Sequence, residues 1–548
     1  MHSAEDFNAY FVNIASHIIE SIPSCDLSPL EYLRGLNVSD EVSLSYFEEI
    51  TPQEVIEIVD SLKNSSSRDI FGLSNTLIKF ILEPILEPIV YLTNSCFQMG
   101  HFPDIFKCSR VTPVYKKGPR GDISNYQPIS IVPILSKIIE SAMKRRILGY
   151  FETNKLFINS QYGFRPGRST TMAMVDVIAT LTSALEGGCF ASVTLCDLSK
   201  AFDCVAHDIL LQKLQHYRVV GKALELIKSY LSNRTQFVQV SRQKSSVSAI
   251  QHGVPQGSIL GPILFIIYAN DLPYSLPNVR TCQFADDTTL INISGDVASL
   301  NMLTERSEQI AEGWFSSNKL KLNESKTQHL TVTLRLNVNP TESVKLLGFH
   351  LDSKLTWAVH LENLSTRLAR NLYLLRQLGQ NVSPDVVRAA YFAFFHTHLQ
   401  YGILIWGHCG NQLPIFRMQK AAVRAISGVN CRTTCRPFFI SQKILTLCSI
   451  YILECLTYVK VNIQQFNSHS DTHTHLTRKR HDIDQAYVRL TKSMNGVNFY
   501  GPKFFNKLPG NVRDLDVKAF KSHLKKFLIG RGYYEISEFL NDDLSDLL

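Results

Sequence analysis

No run of about 20 uninterrupted apolar residues occurs in this 548-residue chain, so a membrane-spanning helix is not expected. The nearest stretch, Tyr391 to Trp406, is broken by His396, His398 and Gln400 and reads as a buried helix. The amino terminus has no basic segment followed by an apolar one, so it does not read as a secretory signal. Both absences lead us to expect a soluble, intracellular chain, in the cytoplasm and/or nucleus, without a membrane partner. The twelve cysteines show no paired framework, and several (Cys196, Cys282, Cys448) stand in apolar runs, where they read as small buried hydrophobes. Cys431 and Cys435 have no second close pair to complete a zinc site. Positive charge is nearly missing from residues 1–60, which hold twelve acids against one arginine. With +8 on the whole chain, that −11 leaves +19 on the remainder, a balance suited to tracking a phosphate backbone.

Carboxylates are present in an informative arrangement. Phe284-Ala285-Asp286-Asp287 lies between two β-prone runs and reads as strand, tight turn, strand. Asp197 lies 89 residues before Asp286, at the end of the apolar run Ala191 to Cys196. A carboxylate at the end of a buried strand is costly unless paired or metal-bound, although an isolated aspartate there could also cap a helix. Three such carboxylates suit a site for two Mg²⁺ ions, or Mn²⁺, that clamps a nucleotide's phosphates while a 3′-hydroxyl attacks. Because neighbouring strand residues point to opposite faces, Asp286 is expected to be the main ligand and Asp287 its helper. A second pair, Asp542-Asp543, sits in a polar tail and reads as a solvated acidic end.

Asp197-Leu198-Ser199-Lys200-Ala201-Phe202-Asp203, Val254-Pro255-Gln256-Gly257-Ser258 and Phe284-Ala285-Asp286-Asp287 follow the order of the palm blocks of reverse transcriptases. Further blocks are Pro113 to Gly118, Asn125 to Ser130, Gln161 to Ser169, Leu320 to Thr327 and Val344 to Phe349. Together they resemble the polymerase of a LINE-type, non-LTR retrotransposon of the jockey-like branch, over about residues 70 to 450. The resemblance implies an α+β, right-hand polymerase with fingers, a palm built on an antiparallel sheet and a thumb, followed by a mainly helical C-terminal region. It implies an RNA-directed DNA polymerase whose partners are an RNA template, a DNA primer or target, and dNTPs.

Site residues carry over position by position. Asp197, Asp286 and Asp287, with the Leu198 carbonyl, would hold the metal ions. Lys116 or Lys117, on a basic hairpin, would neutralise the triphosphate. Phe202 falls at the steric gate that rejects a ribose 2′-hydroxyl, though by its chemistry it could equally be a core aromatic. Gln256 matches the glutamine that touches the incoming nucleotide. Arg165 and Arg168, on a loop with Pro166 and Gly167, suit template phosphates or a structural turn. Lys326 is the candidate acid for the leaving group. Leu347 and Gly348 fit the primer grip.

Gln127 departs from the family, which usually has an arginine there; the amide keeps hydrogen bonding but loses the charge and the guanidinium plane. That departure is compatible with a decayed or repurposed copy that binds RNA without polymerising.

The expected organisation is an acidic helical segment over 1–63 that links to the polymerase, fingers and palm over 64–350, a thumb helix region over 351–384, and a basic helical region over 385–548. In the first segment Phe7, Tyr10, Phe11, Ile14 and Ile18 recur at helical spacing. An endonuclease domain, which precedes the polymerase in this family, is expected to be missing. Leu361, Leu364, Leu368, Leu372 and Leu375 mark the thumb helix, with Arg367, Arg370 and Arg376 around it. Residues 411–480 hold ten basic residues against two acids, interleaved with aromatics, as nucleic-acid contact requires. No constellation for an RNase H nuclease follows.

Overall fold

The computed structural model describes every residue except 1, 24, 26, 37, 336–342, 469–481, 486 and 548. Of the basic C-terminal region, residues 469–481, 486 and 548 therefore lie outside the described residues. The chain forms two compact units, one of Met1–Ser169, Thr194–Asn292 and Asn301–Gln328, the other of Thr170–Val193, Ile293–Leu300 and His329–Leu548.

The first unit opens with helix α1 (Ala4–Glu20), whose start is set by a capping box: Ser3 accepts from the Asp6 N–H while Asp6 accepts from that of Ser3. Five strands then build one sheet: β1 (Cys108–Tyr115), β2 (Tyr126–Ile131), β4 (Thr235–Val240), β5 (Gln243–Lys244) and β6 (Ser248–Ala249). Their order is β2-β1-β4-β5, with β6 also on β4. The β1–β2 pair is antiparallel, so the intervening loop carries Lys116 and Lys117 at one end of the sheet. Helix α1 lies on this sheet through Phe7 and Phe11, which are buried with Val111 and Val238.

A second sheet carries the acidic residues. It comprises β3 (Phe190–Cys196), β7 (Arg280–Phe284), β8 (Asp287–Ser294) and β9 (Gln328–Val332), in the order β7-β8-β3-β9. The β-prone residues of β3 suit its central place, and Phe190, Ala191, Val193 and Cys196 are buried. The helix Gly261–Tyr268 is apolar on every side and buried except at Pro262, as its composition requires. Its entrance is held by Glu140, a buried carboxylate that accepts from the N–H groups of Ile259 and Leu260 at 2.8 and 3.2 Å. All twelve cysteines are free thiols, and Cys96, Cys196, Cys204, Cys282, Cys435, Cys448 and Cys455 are buried.

The second unit contains the hairpin β10 (Ser343–Leu346) and β11 (Phe349–Asp352) and then a bundle of helices. Leu347 and Gly348 form the hairpin's two-residue turn with φ of +48° and +86°, as a tight antiparallel turn of this kind needs. The helix Ala358–Gly379 buries Leu361, Leu364, Leu368, Leu372 and Leu375 and leaves Arg367, Arg370 and Arg376 exposed. Tyr391 to Trp406 is buried in part but is not one helix. It turns at Gly402, which has φ of +64° and lies against the Phe349 ring. No helix among the described residues is long and apolar enough to cross a membrane.

Candidate active site

Asp286 sits at the tip of the β7–β8 hairpin, where Phe284 pairs with Asp287 and only Ala285 and Asp286 make the turn. Ala285 holds φ of +58°, a conformation that costs a residue with a Cβ about 1 kcal/mol. The hairpin is braced by its neighbour on the other edge. Tyr162 donates its N–H to Gln283 O at 2.8 Å, Gln283 donates to Ser160 O at 2.8 Å, and the Gln161 carboxamide accepts from the Ala285 N–H at 3.1 Å. This contact requires Gly163, because a Cβ there would stand 2.5 Å from the Ala285 nitrogen. Asp197 follows β3 and is fixed through its backbone, whose carbonyl accepts from Asn323 N–H at 2.8 Å. The next helix begins only at His207, so Asp197 caps no helix.

Asp197 and Asp286 face one cavity of about 940 Å³ in the first unit. Its wall includes Lys116, Lys117, Gln127, Leu198, Phe202, Gln256 and Lys326, so most of the residues expected to bind nucleotide and metal converge. Asp287 is not among the lining residues, in keeping with the alternation of a strand. The Asp287 carboxyl is pushed up to about 6, first by burial of the group and then by the negative charges of Asp286 and Asp197. Asp286 is raised too, by burial and then by Asp197, against the pull of Lys116. Lys326 places its ammonium 3.5 Å from an Asp197 oxygen.

Phe202 packs in the core and also reaches the cavity. Its ring stacks on Phe265 at 4.5 Å, which anchors it in the core, while the residue also lines the cavity. Gln256 stands on a turn pressed against β2. Ser130 N–H donates to Gln256 O at 2.8 Å, and at Gly257 (φ +125°) a Cβ would meet Ser130 O at 2.4 Å. Gln127 donates to the Gln256 side-chain oxygen at 3.1 Å, and Gln256 donates to both oxygens of Asp203 at 2.8 and 2.9 Å.

Arg165 departs from the expectation of a template contact. Its guanidinium binds Glu152 through two hydrogen bonds of 2.8 Å, donates to Ile158 O, and lies over the Phe157 ring; its side chain is only 6% exposed. The partner, Glu152, stands in the last turn of the helix Ile134–Thr153, and the arginine fixes the following loop to it. Arg168 lies over Tyr162 and keeps a partly exposed side chain. Leu347 and Gly348 belong to the second unit, where Tyr401 donates its hydroxyl hydrogen to Leu347 O. Two further cations are likewise consumed internally, since Lys107 pairs with Asp104 and Arg146 with Glu54.

Several lining residues were not singled out as site residues from sequence. Tyr10, Ile14 and Ile18 of α1 line the cavity, on a stripe offset from buried Phe7, Phe11 and Ala15. The two i, i+4, i+8 series were the available signal. Phe164, with φ of +57°, and Lys200 line it as well.

The donor set fits Mg²⁺ in chemistry. The candidate ligands are all oxygens, and the negative charge of Asp197 raises the pKa of both Asp286 and Asp287, a repulsion that a divalent cation would relieve. Among the described residues no three His, Cys, Asp or Glu side chains form a closed metal-ligating cluster. Substrate oxygens and water would have to complete the shell, as they ordinarily do for Mg²⁺.

Residues 114–351 match the family described as reverse transcriptase (RNA-dependent DNA polymerase). Over 413 residues the chain is 29% identical to the RNA-directed DNA polymerase from mobile element jockey of Drosophila melanogaster, covering 69% of this chain and 44% of that protein. It is 26% identical over 485 residues to the probable RNA-directed DNA polymerase from transposon BS of the same species, covering 83% and 51%. The jockey polymerase of Drosophila funebris is 27% identical over 406 residues. The chain thus spans about half the length of these relatives. Residues 114–351 are a reverse transcriptase domain, and the chain is a relative of the RNA-directed DNA polymerases of jockey-like, non-LTR mobile elements.

Proposed function

We propose that this chain is an RNA-directed DNA polymerase that extends a primer 3′-hydroxyl with dNTPs on an RNA template. The observation that carries the proposal is the convergence of Asp197 and Asp286 with Lys116, Phe202 and Gln256 on one cavity inside a reverse transcriptase domain.

Asp197 and Asp286 would hold two Mg²⁺ ions (or Mn²⁺), with Asp287 and the Leu198 carbonyl in support. Once bound, the ions would supply charge neutralisation to the triphosphate and a lowered pKa to the attacking hydroxyl. The chain's own groups do the rest. Lys116 and Lys117, exposed at the end of β1, offer ammonium groups to the phosphates. Phe202, locked against Phe265, presents a rigid edge that a 2′-hydroxyl would strike. As the primer oxygen bonds to the α-phosphorus, the α–β bridging P–O bond breaks and pyrophosphate leaves with the electron pair. Lys326, 3.5 Å from Asp197, would give that leaving oxygen its proton.

Primer extension on an RNA template with Mg²⁺, comparing dNTPs with rNTPs and wild type with Asp286→Asn, tests the reading. Deoxynucleotide extension that Asp286→Asn abolishes is the expected result. Gln127, standing where the family has arginine, is the observation that favours a chain that binds RNA without polymerising; RNA binding without any extension would establish that instead.

A further inference from the structure

We infer that Asp203 is a positioning residue for nucleotide binding, acting by fixing the direction of a two-amide relay, Gln256 then Gln127, that ends at the cavity. The inference rests on the reading that the cavity receives a dNTP.

The relay's direction is dictated by chemistry. An ionised carboxylate only accepts hydrogen bonds, so the group that Gln256 turns toward both oxygens of Asp203, at 2.8 and 2.9 Å, must be its NH₂. Its carbonyl oxygen is then aimed away from Asp203, and it accepts from the Gln127 NH₂ at 3.1 Å. The second amide is thereby oriented as well, with its carbonyl oxygen and remaining N–H left for whatever enters the cavity, which both glutamines line. A glutamine in open solvent would present donor or acceptor with nearly equal ease. Reversal here would set the Gln256 oxygen against a carboxylate, an acceptor against an acceptor.

The backbone holds the three residues in register. Val254 N–H donates to Phe202 O at 2.9 Å, Gly253 N–H to Val205 O at 2.8 Å, and Ser130 N–H to Gln256 O at 2.8 Å. These bonds join the turn carrying Asp203, the turn carrying Gln256, and β2 carrying Gln127. Burial pushes the Asp203 carboxyl up to about 6, while the hydrogen bonds from Gln256 favour its ionised form. Lys200 of the same turn supplies favourable charge. The relay thus gives the position where the family has arginine a defined donor–acceptor sense without positive charge, and Asp203 sets that sense from outside the substrate's reach.

The test is a double-mutant cycle read on nucleotide binding. Asp203→Asn keeps the shape but offers the relay either polarity. It should raise the KM for dNTP about five- to tenfold while kcat stays within about twofold, the loss of one charge-assisted hydrogen bond. In a Gln127→Met background, where the relay has no outer amide, the same substitution should change KM less than about twofold. An equal rise in both backgrounds, or an unchanged KM in the wild-type background, would overturn the inference. Gln256→Met severs the relay with Asp203 intact; its KM rise should shrink in the Gln127→Met background, where direct contact alone would leave it unchanged, so the test survives if Asp203→Asn does not fold. Filter binding of labelled dTTP to the enzyme–primer–template complex in Ca²⁺ separates the two readings. Binding without extension would remove the polymerase proposal and leave the relay judged on Kd; a wild type that binds no dTTP would overturn both.

Discussion

The Lys326 ammonium stands 3.5 Å from a carboxylate oxygen of Asp197, although 129 residues separate them, and both side chains are substantially exposed at 57% and 40%. So exposed a pair contributes little to stability, on the order of 0–1 kcal/mol. Its meaning is positional: Lys116, Lys117, Lys200 and Lys321 also line the cavity, and Lys326 is the ammonium held at the edge of the carboxylates.

Lys326→Ala should therefore lower kcat for dNTP addition by about 100-fold, within the range for loss of a general acid, with little change in primer–template affinity. Melting temperature should stay within about 1 °C of wild type. Pre-steady-state extension and a thermal melt check both; an unchanged kcat would remove Lys326 from the chemistry.

Asp287→Asn should raise thermal stability while it impairs extension. The folded-state pKa of Asp287 is raised to about 6 from 3.8, so its ionised form is disfavoured by folding at neutral pH. The sign follows from proton linkage: this group's contribution to stability is present below its unfolded pKa and is lost as pH rises through about 6. The melting-temperature gain of Asp287→Asn should therefore be largest near pH 7 to 8 and shrink toward pH 4.

The two arginines of the loop after Tyr162 should separate cleanly. Arg165→Ala breaks the double hydrogen bond to Glu152 and should cost about 2–3 kcal/mol in denaturant unfolding. Arg168→Ala should leave stability nearly unchanged and reduce the salt-dependence slope of primer–template binding by about 1.

Phe202→Val should raise rNTP incorporation relative to dNTP by at least tenfold, measured by competing single-nucleotide additions. It should also cost about 1–2 kcal/mol, because the ring's stacking on Phe265 is lost with it. A stability loss without a change in sugar selectivity would leave Phe202 as a core aromatic only.

Much of this was legible in the residues alone. Asp197, Asp286 and Asp287 announced themselves because acids beside apolar β-prone runs are costly, and the order of blocks from Pro113 to Phe349 named the polymerase family. The leucine steps from Leu361 to Leu375 marked a helix face that is buried as expected. The all-apolar segment around Ile263 to Tyr268 could only be interior. Such features are local: spacing and polarity decide them before any long-range contact forms.

Partnership was not local, and only the tertiary structure decided it. Sequence shows that α1 has apolar positions at 7, 11 and 15 and again at 10, 14 and 18. It does not show that Phe7 and Phe11 pack on the sheet of β1 and β4, with Ala15 in the main core, while the second set lines the cavity. Sequence shows that Arg165 is basic and lies on a loop, and the fold then spends that charge on Glu152, thirteen residues away. Gln127, Asp203 and Gln256 lie in three separate blocks, and their partnership shows only when a glycine with no Cβ lets the Gln256 turn close on Ser130 and brings them into one hydrogen-bonded line. A hydrogen bond or ion pair is worth something only when both partners are positioned and shielded from water, and that is a property of the folded chain rather than of either residue.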